Sequence, residues 1–335
     1  MFDNIQFIGT QRSGSNLLRL MLNQHPHISA HHPPHLLKTF MPLLDKYGDL
    51  SVFDNRVKLV YDMCNWVLHN PVSWEPVTFD VDLIAETSSG IIDIYSAIYQ
   101  SKCKDDNAKI WCCKSTHNIE YLDALQNRLN SFYVYLYRDG RDVALSFKKA
   151  YVGPKHIYEI AEKWNREQLQ SLKFLDQIDP SSFIKISYEA LIQHPDVILK
   201  ELCEKLKFPF HQKMLEYYSS DESILTSRAG EMWKNVSKPI LSGNQQKFLV
   251  EMPTDELEMF ETVARNSLTK LGYKLNTSSD LVFTDNEILK FRWKDKELRN
   301  LAAEKCDIND IQHRKPQVQL MNDILRRFNS RVEMQ

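Results

Sequence analysis

The sequence predicts an α/β fold: a central parallel sheet flanked by helices. Short apolar runs recur at residues 5–8, 109–113, 132–137 and 182–188, stretches with apolar residues at helical spacing separate them, and Arg- or Lys-bearing turns follow several of them directly. Alternating strands and helices build parallel sheets, and such sheets gather ligands at the carboxyl ends of their strands.

The first run opens residues 5–22, IQFIGTQRSGSNLLRLML, an apolar strand, a turn on Gly9 and Gly14, and an amphipathic stretch able to start a helix. This order aims successive backbone N–H groups and a helix N-terminus at one point, an anion site. The Gly9-x4-Gly14 spacing is that of a nucleotide-phosphate loop, but Ser15 stands where a Lys is usual and Asn16 where a magnesium-binding hydroxyl is usual. The charge sits instead on Arg12, whose guanidinium fork, among hydroxyls, suits a phosphate gripped without a metal.

Residues 24–37 are the His-richest part of the chain, with His25, His27, His31, His32 and His35. Their spacing fits no tight zinc pattern, and Pro33 and Pro34 stop a helix, so a pocket-lining loop is expected. Residues 36–68 read as mostly helical, 70–76 as a loop, and Ile91, Ile94, Tyr95 and Ile98 mark a helix after Glu86. The strand at 109–113 runs into Lys114, Ser115, Thr116 and His117; a helix-like stretch at 119–129 leads to the aromatic, β-branched strand 132–137, which ends in Arg138-Asp-Gly-Arg-Asp142. Arg12, Lys114 and Arg138 are thereby candidates for one site. Helices are expected after Asp142, at 154–175, from Pro195 through Leu206 and at 254–271, a strand at 182–188, and a loop at 226–235 with Arg228, Gly230 and Trp233. From Thr284 onward the chain is rich in Lys and Arg at helical spacing, with Pro316 expected to divide two helices.

Composition narrows the function classes. In 335 residues, 43% apolar and 26% charged, a sizeable core is available and global disorder is excluded. A formal net charge of -2 supplies no general field for nucleic acid or polyanions, so an anion site must be local. There is no secretory signal pattern and no apolar run of bilayer length, and the six cysteines show no CxxC pairing, which reads as reduced thiols in a cytoplasmic protein.

Three segments carry a resemblance: TQRSGSNLL at Thr10, YLYRDGRDVALS at Tyr135 and SRAGEMWKN at Ser227. Together, with Arg138 and Ser146 eight positions apart, they resemble the sulfotransferases that use 3'-phosphoadenosine 5'-phosphosulfate, in order from about residue 5 to 240, and most closely their bacterial-type members. The resemblance implies a P-loop-nucleotide-hydrolase-like sulfotransferase fold with a catalytic domain at 1–280; the helical extension at 281–335 has too few apolar positions for a large core of its own and is expected to pack on the core or on a partner subunit. It implies that Arg12, Ser13, Gly14, Ser15 and Asn16 hold the 5'-phosphosulfate, that Arg138 and Ser146 bind the 3'-phosphate with Arg228 and Gly230 as a second loop, and that Tyr188 lies against the adenine. Ala229 replaces a basic residue of that second loop. Apart from the resemblance, a nucleotide phosphorylated at both ends of its ribose needs two separated anion sites, and the chain offers two centred on arginines.

The implied reaction moves a sulfuryl group to a hydroxyl or amine of a small-molecule acceptor, with no metal, releasing 3',5'-bisphosphoadenosine. Arg12 and Lys114 are the candidates to stabilise the leaving phosphate, and His117 is the first candidate base. The pattern departs here, because Lys114-Ser115-Thr116-His117 is one residue longer than the Lys-Thr-His of cytosolic members and a bacterial alignment puts Asn118 on the family Asn. His32, His35 and Glu86 therefore remain alternatives. A small-molecule kinase with this loop would need the missing Lys and a metal ligand; a non-catalytic nucleotide-binding protein would bind the bisphosphate and transfer nothing. Neither a nucleic-acid nor a membrane partner is expected, and a homo-oligomer stays open.

Overall fold

The computed structural model describes residues 2–305 and 307–332. Its centre is a sheet of five parallel strands, β1 (Asn4–Ile8), β2 (Ile28–Ser29), β3 (Ile110–Cys113), β4 (Ser131–Tyr137) and β5 (Phe183–Ser187), in the order β2-β3-β1-β4-β5. β1 lies between β3 and β4, with Ile5 opposite both Cys112 and Phe132. The chain order reverses across β1, the place where open parallel sheets form a crevice. The two-residue β2 lies inside the His-rich stretch and was too short for a sequence pattern to reveal.

Alternation along β4 sends Phe132, Val134 and Leu136 to one face, among Ile5, Phe7 and Leu18, and Tyr133 and Tyr135 to the other, with Ile8 and Phe174. Cys112 and Cys113 fall on opposite faces in the same way. Cys64, Cys103, Cys112, Cys113 and Cys203 are buried and unbridged, and burial pushes their thiols up, which makes them inert packing groups. Cys306 lies outside the described residues.

Gly9, at φ +115°, brings the first loop onto β4: a Cβ there would stand 2.4 Å from the Leu136 carbonyl oxygen. Only glycine combines that dihedral with that approach.

Two long helices close the chain, Asp285–Glu304, opened by a Thr284–Glu287 capping box, and Ile308–Val332. The expected division at Pro316 is corrected, because Pro316 lies inside the second helix and the break comes before Ile308, where Asp307 accepts from the Asn309 amide. Contacts on both sides of the proline offset its lost hydrogen bond. Arg314 donates to the Tyr151 hydroxyl (3.0 Å), Gln317 donates to the Trp66 carbonyl (2.9 Å), and Ile324 and Phe328 are buried in the core. The helix Asp285–Glu304 is fixed by Asp295, which accepts from the Lys155 and His156 amides at 2.6 and 2.9 Å. No helix among the described residues is long and apolar enough to cross a membrane.

Candidate active site

A cleft of about 950 Å³ opens at the carboxyl ends of the strands. Its floor is the first loop. Arg12 and Gly14 take left-handed φ of 70° and 89°, and the helix Ser15–Leu22 starts at Gly14 with no side-chain cap. Its first amides thus stay open to an anion. Ser13 Oγ and Asn16 Nδ2 are buried without a hydrogen-bond partner, which a native fold rarely leaves so unless a ligand supplies one. Behind the loop the fully buried Arg19 donates to Asn16 Oδ1 (2.9 Å), the Ala30 carbonyl (2.9 Å) and Glu222 (2.6 Å), which fixes Asn16. Sequence reasoning missed Arg19; its signal was a cation on the apolar face of the first helix.

Arg138 follows β4. It is nearly buried and donates to the Asn244 carbonyl (2.9 Å), and its guanidinium lies 4.4 Å from the Tyr188 ring centre, while Nε has no partner. Asn244 in turn donates to the Tyr188 hydroxyl (2.7 Å), and the Tyr188 ring fills the space over Gly14, where a Cβ would come within 2.4 Å. Tyr188, Arg138 and the first loop are one packed unit. Arg12 donates through Nε to Ser146 Oγ (3.0 Å), and burial, then Arg138, pushes the Arg12 guanidinium down. Two well-separated arginine sites were expected. The structure corrects this, since Arg12 leans onto Ser146 and lies next to Arg138.

Lys114 leaves β3 and lines the same cleft, near enough to Arg12 for that charge to act on it. It makes no hydrogen bond or ion pair among the described residues, and burial, then Arg19, pushes its ammonium down to about 7. Beside it the His35 and His117 rings meet edge to face at 5.2 Å. His117 Nε2 lies 2.9 Å from Gln11 Nε2 and 3.3 Å from Lys38 Nζ. An ammonium only donates, so that nitrogen is an acceptor already engaged, and burial and the Lys38 charge bring His117 down to about 3. His35, itself at φ 55°, holds Ser115 Oγ at 2.7 Å through Nδ1. If Nδ1 carries the proton, Nε2 keeps its lone pair. Burial and Lys114 hold His35 well below the ordinary histidine range, so the ring is neutral.

Other expected residues fall elsewhere. Arg228 ends the helix Asp221–Arg228 on an exposed face and does not line the cleft; the expected loop at 226–235 begins only after it. Gly230 is buried against Asp310 of the last helix, and Trp233, three residues further on, lines the cleft. Asn118 turns into the core toward Tyr95 and Gln6, and Glu86 is exposed outside the cleft, so neither is placed for chemistry there. His32 is buried, edge-on to Trp233 at 4.9 Å. Asp139 caps the helix Gly140–Lys149 and pairs with Arg141, which also holds Glu261 (2.5 Å), so both are structural. Among the described residues no group of three or more His, Cys, Asp or Glu side chains could hold a metal ion.

Against known proteins, residues 5–212 match a family model described as the sulfotransferase family. Protein-tyrosine sulfotransferase A of Caenorhabditis elegans is 22% identical over 277 residues, covering 81% of this chain and 67% of that protein. Among solved structures, the sulfotransferase domain of the Synechococcus PCC 7002 olefin synthase is 21% identical, with a TM-score of 0.56 over 78% of this chain and 94% of that one. A sulfotransferase domain from the curacin biosynthetic pathway is 20% identical, with a TM-score of 0.53 over 82% and 99%. These likenesses establish the fold.

Proposed function

The chain belongs to the sulfotransferase family, and on that premise we propose that it moves a sulfuryl group from 3'-phosphoadenosine 5'-phosphosulfate to a hydroxyl or amine of a small-molecule acceptor, without a metal. The observation that carries this reading is the set of unpartnered polar groups on residues that line one cleft, Asn16 Nδ2, Arg138 Nε and the Lys114 ammonium, with the buried Ser13 Oγ beneath the first loop. A donor with anionic groups at both ends satisfies them all.

When bound, the donor supplies an electrophilic sulfur and a phosphate leaving group. The first-loop amides, Ser13, Ser15 and Asn16 receive its phosphosulfate end. Arg138, Ser146 and Arg12 receive the 3'-phosphate, and Tyr188 forms the adenine wall. Gly230 shapes the loop over that end, and Arg228 contributes only long-range charge. Lys114 meets the negative charge that grows on the leaving oxygen, which is where a preorganised cation contributes most. The acceptor O–H or N–H loses its proton as the new bond to sulfur forms and the sulfur–phosphate oxygen bond breaks. We assign that proton to His35 Nε2, oriented by Ser115, and give His117 the role of holding Lys38 and Gln11.

Titration calorimetry tests the donor. Binding of 3',5'-bisphosphoadenosine without magnesium, and none of ATP with magnesium, supports the reading; the reverse returns the chain to the kinase alternative. With an acceptor in hand, His35→Ala is expected to lower turnover about a hundredfold or more, the usual size of a general-base effect, and His117→Ala by less. The opposite ranking moves the base to His117. The likeness to the Caenorhabditis enzyme favours one second reading, a peptide tyrosine as acceptor, and a tyrosine peptide belongs in the same assay.

A further inference from the structure

Past His117 the cleft wall is lined by cations that neither the donor nor the proton transfer uses. They come from three helices: Lys38 on Leu36–Phe40, Lys163 and Arg166 on Ile157–Leu175, and Arg314 on Ile308–Val332. Only Lys163 is neutralised, by Glu167. Lys38 finds the His117 ring at 3.3 Å, and Arg166 makes no ion pair or hydrogen bond among the described residues. Arg314 spends Nε on the Tyr151 hydroxyl, and its guanidinium lies 5.5 and 5.8 Å from the Tyr151 and Trp233 ring centres, which fixes it in place over the cleft.

The carboxylates of the same wall do not balance these charges. Glu159 faces Arg292 (3.6 Å), Asp295 holds Arg299 (2.8 Å) and Glu231 pairs with Lys234. Glu162 lines the wall, and Glu120 and Asp310 act on Lys38 and Arg314 through their charge, but none of them makes an ion pair with Lys38, Arg166 or Arg314 among the described residues. Cations gathered in a concave site focus a positive potential and repel one another until an anion enters. Burial lowers the Lys38 ammonium, and Lys163 and Arg314 add to this while Glu120 opposes it.

We propose that the acceptor carries an anionic group, a carboxylate or a phosphate ester, that docks on Lys38, Arg166 and Arg314 and so presents its hydroxyl or amine between Lys114 and His35. This deepens the sulfotransferase reading above and rests on it. It also makes the last helix part of the site, although Arg314 lies beyond the residues the family model matches. An anion docked there offsets the cations that oppose a positive charge on His35, so the acceptor itself helps its base accept the proton.

The test is transfer of radiolabelled sulfate to matched acceptors. Each set shares one nucleophile and differs in one group: 4-hydroxyphenylacetamide, 4-hydroxyphenylacetate and 2-(4-hydroxyphenyl)ethyl phosphate, then 3-hydroxyoctanamide and 3-hydroxyoctanoate. The anionic members are expected to exceed the neutral ones about tenfold or more in kcat/KM, and the better of the carboxylate and phosphate arms names the group. Arg166→Ala and Arg314→Gln are expected to flatten that preference while bisphosphate affinity stays within about twofold. Equal or better use of the amides overturns the proposal. So does transfer to none of them by protein that binds 3',5'-bisphosphoadenosine, and so does loss of bisphosphate binding in the two variants, which would assign these cations to the donor. A wild-type chain that binds no bisphosphate removes the sulfotransferase reading, and the anionic acceptor falls with it.

Discussion

The two walls of the cleft are built differently. On the donor side, Arg138, Tyr188, Asn244 and the first loop lock together through hydrogen bonds of 2.7 to 2.9 Å and a ring stacked under a guanidinium. The acceptor side has two neutral histidines and a set of cations from three separate helices, of which Lys38, Arg166 and Arg314 make no ion pair among the described residues. A preorganised wall suits a ligand that never changes, and a charged, loosely partnered wall suits one that brings the missing charge. Disturbing the donor wall should therefore affect every reaction alike, and disturbing the other should change which acceptor is used.

Lys114 stands where the walls meet, and its removal should have the largest effect. Lys114→Ala is expected to lower turnover by about 10²- to 10³-fold, the range seen when one transition-state donor is lost, with a much smaller change in bisphosphate affinity. The sign of its pH dependence follows from a folded value near 7 against an ordinary 10.5. Between those values the unfolded chain holds the proton and the folded one does not, so this group alone lets ligand-free stability rise with pH there. A bound polyanion restores the charged form. Bisphosphate affinity should thus be flat below about pH 7 and fall above it, with proton uptake on binding visible as a dependence of calorimetric heat on buffer. Lys114→Arg, charged throughout, should abolish that slope; a slope that survives would place the titrating group elsewhere.

The donor wall alone is broken by Arg138→Ala. A hydrogen bond to a charged partner contributes about 1.5–3 kcal/mol, so bisphosphate affinity should fall about 10- to 100-fold. The ranking of acceptors should stay as it was; a changed ranking would mean that the two walls are coupled through Tyr188.

How far the sequence foretold each wall follows from the same difference. Strand, turn and helix signals set out the sheet and the first loop. Arg138 follows directly on β4 and Tyr188 opens the helix after β5, Arg12 sits in the loop between β1 and the first helix, and Ser146 lies within the helix that follows Arg138, so all four reach the cleft through elements whose signals are local. Their places depend on local chain geometry, which periodicity encodes. Arg228 did not reach it, because the helix Asp221–Arg228 runs on through the residue expected in a loop and turns it to solvent. Asn244, Lys38, Arg166 and Arg314 had no local signal at all. They are brought in by the packing of elements far apart in sequence, and a lysine or arginine on a helix reads as a solvated face until its neighbours are known. The last helix is the extreme case, since Ile324 and Phe328 dock it on the core and so deliver Arg314.

A milder test of the donor wall is steric. In Gly14→Ala a Cβ at φ 89° would meet the Tyr188 ring, so strain and overpacking should destabilise the fold by about 1–3 kcal/mol. Thermal unfolding measures this. Loss of bisphosphate affinity without a change in Tm would mean that Tyr188 moves aside freely and that the wall is less rigid than its contacts imply.

The smallest effect probes the hinge between the walls. His31 lies 2.7 Å from Asp106 and 3.8 Å from Glu222, the carboxylate that also holds Arg19 behind the first loop. Although burial works against the charge, hydrogen bonds to Asp106 and Glu222 raise His31 above its ordinary 6.5. A raised folded value means that the stabilisation is fully present below about 6.5 and is lost as pH climbs through the folded value. The Tm advantage of wild type over His31→Asn should then be about 2 °C at pH 6, the shift that roughly 1 kcal/mol gives in a chain of this size, and should shrink by pH 9. An advantage that is constant across that range would make His31 a neutral hydrogen-bonding spacer, and Arg19 alone would keep Asn16 aimed into the donor loop.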